Sequence, residues 1–233
     1  MISIVTINYN NLEGLKKTVE SVLHQTAVNS IEYIVIDGFS TDGCQDYLQS
    51  LPNNVIWVSE RDKGISDAFN KGLKKATGEC VLFLNSGDVL INNNVIEIVI
   101  KDWAQKKVDI LSYRVKVNDT TFIPSKSLST KEIFDTCCEP HQGTFISSKV
   151  FNLIGGFSEE YKIRMDYHFF ARCKESDFSF DYIPKDIVLY EEDGVSMKKE
   201  NRVKFWKEGL SVKILYNIEF SFKDWIKCLL YIR

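Results

Sequence analysis

The chain has 233 residues, 44% of them hydrophobic and 26% charged, with a net charge of −3. That is enough apolar material for one large folded domain with an appendage, and it excludes a disordered or fibrous chain. The charge is uneven: from Lys198 onward 9 basic residues stand against 4 acidic ones, and before it 20 against 28, so an acidic body carries a basic tail.

Six cysteines with neither a CxxC pair nor zinc-like spacing point to reduced thiols. No apolar run reaches the roughly 18 residues that a bilayer crossing needs. The chain opens on strand character rather than a leader peptide, so a cytoplasmic location is expected, with peripheral association at the inner face of the cytoplasmic membrane as an option. No nucleic-acid partner is expected.

In chain order, Ile2–Ile7 reads as a strand and Leu12–Leu23 as a helix, because Leu12, Leu15, Val19, Val22 and Leu23 share one face. Ile31–Ile36 is a second strand, Asp42–Leu48 a short helix and Val55–Val58 a third strand. Ile65–Ala76 is a helix closed by Gly78. Val81–Leu84 is apolar at every position, as a strand covered on both faces would be, and a helix follows near Val95–Trp103. Strand character resumes over Asp109–Val117, 124–140 reads as loop, His141–Phe145 as a turn into a strand, and Met165–Phe170 opens a helix. Alternation of this kind predicts an α/β fold with a mostly parallel central sheet flanked by helices.

Two common phosphate-binding loops are absent. The first strand is followed by Asn8-Tyr9-Asn10-Asn11 rather than GxGxxG, and GxxxxGK[ST] occurs nowhere. Instead, polar side chains gather at the strand ends: Thr6, Asn8 and Asn10, then Asp37, then Glu60, Asp62 and Lys63. The carboxyl edge of such a sheet is where ligands bind. After Val81–Leu84 comes Asn85-Ser86-Gly87-Asp88, a hard carboxylate on a flexible turn, which suits a divalent cation that shares substrate phosphates. The same residues also serve as ordinary turn formers and helix caps.

TINYN at 6–10, IDGFSTDG at 36–43, DKGISDAFNKG at 62–72 and LNSGD at 84–88 together resemble the ordered motifs of family 2 glycosyltransferases. The resemblance spans roughly residues 1–190 and implies a GT-A domain over 1–197, with a nucleotide-sugar-binding half at 1–105, an acceptor half at 106–197 and a helical extension at 198–233. It implies that Thr6, Asn8, Asn10 and Asp37 hold the nucleotide and that Asp62, Lys63, Asp67 and Asn70 approach the base and diphosphate. Ser86 would join the nucleotide-sugar-binding residues from a DxD-type motif whose Asp88 binds Mn2+ or Mg2+.

Three positions depart from the family's pattern. The DxD motif stands as Ser86-Gly87-Asp88, so one carboxylate is missing and the metal should arrive with the donor. Phe39 replaces a common Gly. Phe69 stands where Arg is frequent, which shifts phosphate neutralisation to Lys63.

On the acceptor side, the resemblance places the catalytic base at Asp166, the acidic residue opening the helix after His141-Gln142-Gly143-Thr144-Phe145. Displacing a nucleoside diphosphate from an anomeric carbon needs a base on the attacking face to take the acceptor proton, and a single such base implies inversion. An N-terminal helical Asp also serves as a cap. His141 is a second candidate for the metal or diphosphate, with a structural role as the alternative. His168 should face away from Asp166, and His24 should support the end of its helix.

In the tail, Phe205, Trp206, Leu210, Ile214, Leu215 and Ile218, then Phe222, Trp225, Ile226, Leu229 and Leu230, recur at helical spacing among Lys and Arg. This suits a membrane-surface helix, a helix packed on the body, or a homodimer contact. The expected activity is inverting hexosyl transfer from a nucleotide sugar, UDP-linked, to a saccharide or polyprenyl-diphosphate-linked saccharide in cell-surface polysaccharide biosynthesis. The alternatives are a sugar nucleotidyltransferase and a catalytically inactive, membrane-associated carbohydrate-binding subunit.

Overall fold

Strands that are apolar on consecutive residues must bury both faces, and β1 (Ile2–Asn8) and β2 (Ile31–Asp37) do so. In β1, Ile4 points into one core and Val5 into the other, following the two-residue period of a strand. The computed structural model describes residues 1–117, 120–122, 140–191 and 199–218, with 222 and 226.

The remaining strands are β3 (Val55–Ser59), β4 (Cys80–Phe83), β5 (Val89–Leu90), β6 (Ile110–Val117), β7 (Thr120–Phe122), β8 (Thr144–Ser147) and β9 (Phe180–Leu189). The sheet order is β3-β2-β1-β4-β8-β6-β9-β5, with β7 beside β6. From β3 to β4 every pairing is parallel. Beyond β4 the sheet is mixed, because β8 runs antiparallel to both β4 and β6. The α/β fold expected from the sequence is present, but the sheet is mixed rather than mostly parallel: β1–β4 pair in parallel, as do β6 and β9, and the other pairings are antiparallel.

Helices α1 (Leu12–Leu23), α2 (Cys44–Gln49) and α4 (Val95–Lys106) cover one face, where Leu15, Val19, Leu48 and Val99 meet Ile4, Val35 and Leu82. Helices α3 (Ile65–Lys75), α5 (Ser148–Ile154), α6 (Met165–Glu175) and α7 (Arg202–Leu215) contribute to the second core, where Phe69, Val150, Phe170 and Val212 join Val5, Ile34 and Phe83. Phe69 is fully buried, with its ring 4.5 Å from Phe83 and 5.2 Å from Phe157. Phe69 is thus part of an aromatic cluster that joins the two halves, rather than a site for phosphate charge.

Sequence boundaries shift by one to three residues: α4 runs on to Lys106, and α2 starts at Cys44 while Asp42 accepts from the Cys44 and Leu12 amides. β9 was not legible, because Pro184, Asp181, Lys185 and Asp186 interrupt its apolar pattern. It pairs with β6 in register from Ile110–Phe180 to Tyr113–Ile183, and the register then shifts on either side of Arg114. Of the expected loop at 124–140, residues 124–139, with Cys137 and Cys138, lie outside the described residues, as does most of 219–233. Among the described residues no helix is long and apolar enough to cross a membrane.

Candidate active site

The carboxyl ends of β1, β2 and β3 are tied together through Asp37. This carboxylate is fully buried; Oδ1 accepts from Asn8 Nδ2 at 2.8 Å and Ser40 Oγ at 2.5 Å, and Oδ2 from Ser40 N at 3.0 Å and Ser59 Oγ at 2.6 Å. Asn8 Oδ1 is left buried without a partner, an acceptor on offer at this edge. Asn10 adopts φ +48°, which Asn tolerates, and stitches the neighbouring loop by donating from N to Ser40 Oγ and accepting from Thr41 N. Thr6 lies one layer deeper, fully buried with its hydroxyl 3.1 Å from Tyr33 Oη.

Asp62 closes in on the same loops. Its Oδ1 accepts from Gly64 N at 2.9 Å, and a Cβ on Gly38 would stand 2.7 Å from its Oδ2, so glycine permits the approach. Lys63 is exposed, with its ammonium 3.9 Å from Glu159 and its amide donating to Asp67. Burial works against ionising Asp67, but the Lys63 amide and the Lys71 ammonium outweigh it and hold the carboxyl below its usual range. Asn70 is engaged elsewhere: Nδ2 donates to Phe157 O and Oδ1 accepts from Phe157 N, both at 2.8 Å. It stitches α3 to the acceptor half rather than facing the crevice.

Asp88 is 2% exposed, its Oδ2 accepting from Asn85 N at 3.2 Å and its Oδ1 from Glu191 N at 3.1 Å. Burial pushes its carboxyl up to about 7, against the lowering effect of the Glu191 amide, His141 and the Asn85 amide. A carboxylate desolvated in this way is one whose charge a cation would stabilise. Gly87 has φ +104°, and a Cβ there would overlap the Glu191 carboxylate. A second carboxylate therefore comes from the far end of β9 into the space over the motif's glycine. Among the described residues no three His, Cys, Asp or Glu side chains form a ready metal site, so these two acids fit a cation that brings most of its ligands as phosphate oxygens and water.

From Asp88 the polar groups run on to α6. Asn85 Nδ2 lies 3.2 Å from His141 Nε2, and His141 Nδ1 faces Asp166 Oδ2 at 3.6 Å. A neutral ring that accepts from the amide at Nε2 carries its proton on Nδ1, the nitrogen facing the carboxylate. His141 Nδ1 and Asn85 Oδ1 are both buried without a hydrogen-bond partner.

Asp166 sits in the first turn of α6, its Oδ1 accepting from Tyr167 N at 2.7 Å, while the N-cap position belongs to Arg164. Burial alone would raise the Asp166 carboxyl; His141, Arg164 and the Tyr167 amide overcome this and keep it below the usual range. The anion, the form a base requires, is thereby favoured.

His168, as expected, is apart from this site. It stacks 4.3 Å from Tyr161 and meets Tyr216 Oη at 3.2 Å, with burial and then Arg172 lowering it to about 4. His24 caps the end of α1, 3.9 Å from Glu20.

The sequence profile described as Glycosyl transferase family 2 matches residues 3–178. The chain belongs to glycosyltransferase family 2. An uncharacterised glycosyltransferase of Mycobacterium tuberculosis is 33% identical over 183 residues, covering 74% of this chain and 68% of the relative. The minor teichoic acid biosynthesis protein GgaB of Bacillus subtilis is 28% identical over 182 residues, covering 70% of this chain and 20% of that one. Residues 1–349 of S. aureus TarS, solved with UDP-GlcNAc, superpose with a TM-score of 0.74 at 18% identity, covering 97% of this chain and 69% of that one. The mannosyltransferase PcManGT of Pyrobaculum calidifontis, solved with GDP-Man and Mn2+, gives 0.70 at 16% identity, covering 92% and 64%. These structures share the GT-A fold with this chain.

Within this family 2 glycosyltransferase, three contributors were invisible to sequence reasoning. Glu191 lies beyond β9, a strand whose interrupted apolar pattern gives no signal in the sequence. Thr18 Oγ1 accepts from Gly87 N at 2.9 Å and stands 2.8 Å from Asp88 O, pinning the turn from α1. Glu208 of α7 accepts from the Lys162, Ile163 and Arg164 amides at 2.8–2.9 Å, fixing the segment that leads into Asp166. The only signal available was helical periodicity, which says where α1 and α7 turn their apolar faces but not what their polar residues reach.

Proposed function

We propose that this chain is an inverting, metal-dependent hexosyltransferase that moves a sugar from a UDP-linked donor to a saccharide or lipid-linked saccharide during cell-surface polysaccharide assembly. The observation that carries the reading is the run Asp88–Asn85–His141–Asp166, which links the turn after β4 to the first turn of α6 and leaves Asn85 Oδ1 buried without a partner. The teichoic acid relative, the UDP-GlcNAc bound to TarS and the GDP-Man and Mn2+ bound to PcManGT support the setting, the donor class and the cation.

Asp88 and Glu191 would hold Mn2+ or Mg2+, which when bound neutralises charge developing on the diphosphate. The loops at Asn8, Asp37 and Asp62 hold the nucleoside end, and the exposed Lys63 ammonium adds positive charge near the leaving group. Asp166 Oδ2 takes the proton from the acceptor hydroxyl as the new bond forms on the face opposite the diphosphate, which inverts the anomeric centre. His141, with its proton on Nδ1, steadies the carboxylate as an anion.

At the end of α7, Ile214 and Leu215 are exposed, as is Phe222, which supports a peripheral membrane contact by 198–233 and a lipid-linked acceptor. The purified chain should hydrolyse or transfer from one member of a nucleotide-sugar panel in the presence of Mn2+ or Mg2+, faster with anionic vesicles present. Loss of activity in chelator supports the cation. No turnover with any donor would favour the non-catalytic carbohydrate-binding subunit, and an unchanged rate with vesicles would remove the membrane contact.

A further inference from the structure

Phe39 is held where neither its backbone nor its side chain favours phenylalanine. It has φ +66°, a left-handed conformation that is costly for residues with a bulky Cβ substituent. Its ring remains 47% exposed, so burial does little to offset that cost. The turn is closed around it, because Ser40 on one side is tied by its amide and hydroxyl to the Asp37 carboxylate two residues before Phe39. A glycine would suit the turn better. Strain of this kind persists where the side chain has another use.

The surroundings indicate what that use is. A Cβ on the neighbouring Gly38 would stand 2.7 Å from Asp62 Oδ2 and 3.1 Å from the ring of Tyr9, a residue that is 68% exposed. The Arg61 guanidinium lies 5.9 Å from the Phe39 ring centroid. An exposed aromatic face, a second exposed aromatic ring and a guanidinium thus gather beside the orphaned Asn8 acceptor at the carboxyl edge of the sheet. This is a stacking surface for a planar heterocycle, with a cation on its rim.

We infer that Phe39, with Arg61 against it, is the platform on which the nucleobase of the donor stacks, and so determines how tightly the nucleoside end is held. The inference rests on the donor-site reading above. It concerns the base alone, since nothing in this group of residues reaches the turn at Asp88.

The test compares Phe39→Gly, Phe39→Leu and Phe39→Trp in the full chain, by calorimetric titration with UDP, GDP and dTDP, and with inorganic pyrophosphate, each in MnCl2. Melting temperatures are recorded without ligand. The glycine and leucine variants should bind the preferred nucleoside diphosphate roughly 10-fold or more weakly, the usual cost of a lost stacking partner. Tryptophan should retain wild-type affinity, pyrophosphate binding should not change, and Phe39→Gly should melt at the same temperature as wild type or higher.

Nucleotide affinity equal to wild type in both the glycine and leucine variants overturns the inference while leaving the donor reading intact. A lower melting temperature with pyrophosphate binding lost in parallel also overturns it, by making the ring structural. A wild-type chain that binds none of the nucleotides overturns both readings.

Discussion

The two halves of the molecule treat their polar groups differently. At the carboxyl ends of β1–β3 the side chains largely satisfy one another: four donors converge on Asp37, and Asn10 knits two loops together. At the seam with the acceptor half, between the turn after β4 and α6, Asn85 Oδ1 and His141 Nδ1 are buried and unpaired. Buried polar atoms left without partners are costly, so a ligand that satisfied them would be favoured. The first region is cross-linked through Asp37 and leaves one orphan acceptor at Asn8, whereas the second is joined by the longer contacts of His141 with Asn85 and Asp166.

The largest effect should come from removing the base at the seam. Asp166→Asn keeps the bond from Tyr167 N but not the charge, and kcat should fall by about 100-fold to 10,000-fold with UDP affinity unchanged. Steady-state kinetics beside a binding titration reads both, and undiminished turnover would show that the carboxylate serves only the helix terminus.

A smaller effect tests the join between the halves. Asn70→Ala removes both bonds to the Phe157 backbone and should destabilise the fold by about 1–3 kcal/mol, lowering the melting temperature by roughly 2–4 °C per kcal/mol. Nucleotide affinity should hold. If affinity fell while the melting temperature stayed, Asn70 would belong to the donor cradle instead.

The smallest is a pH effect confined to the acceptor half. The unfolded chain protonates His168 near 6.5, and the folded chain only near 4. Between those values the unfolded state holds more protons, so His168 makes stability fall as pH is lowered, by at most about 1.4 kcal/mol per pH unit. His168→Gln should flatten that slope relative to wild type in melts from pH 7 to pH 4. Parallel slopes would mean that the imidazole is not excluded from water.

The cradle was largely legible in the sequence because its signals are local. A run such as Val81–Leu84 has one plausible environment, and the polar residues ending each strand are carried to one edge by parallel pairing. Asp166 could be placed only through the order of motifs, since an aspartate opening a helix is equally a cap. Glu191 was not legible at all. Nothing near it in the chain marks it, and it meets Asp88 across a sequence separation of 103 residues. Asn70 sits within a recognisable motif, yet both its amide atoms are taken by a backbone segment 87 residues away.

The sequence by itself determined the α/β layering, the parallel strands, the polar edge and the family, because these follow from periodicity and from ordered local motifs. Only the tertiary structure decided that a glutamate past β9 fills the space over Gly87, that Phe69 joins an aromatic seam, and that His141 bridges Asn85 to Asp166. Those contacts depend on where β8 and β9 enter the sheet. Pairing with distant strands is set by packing of the whole core, and no local pattern encodes it.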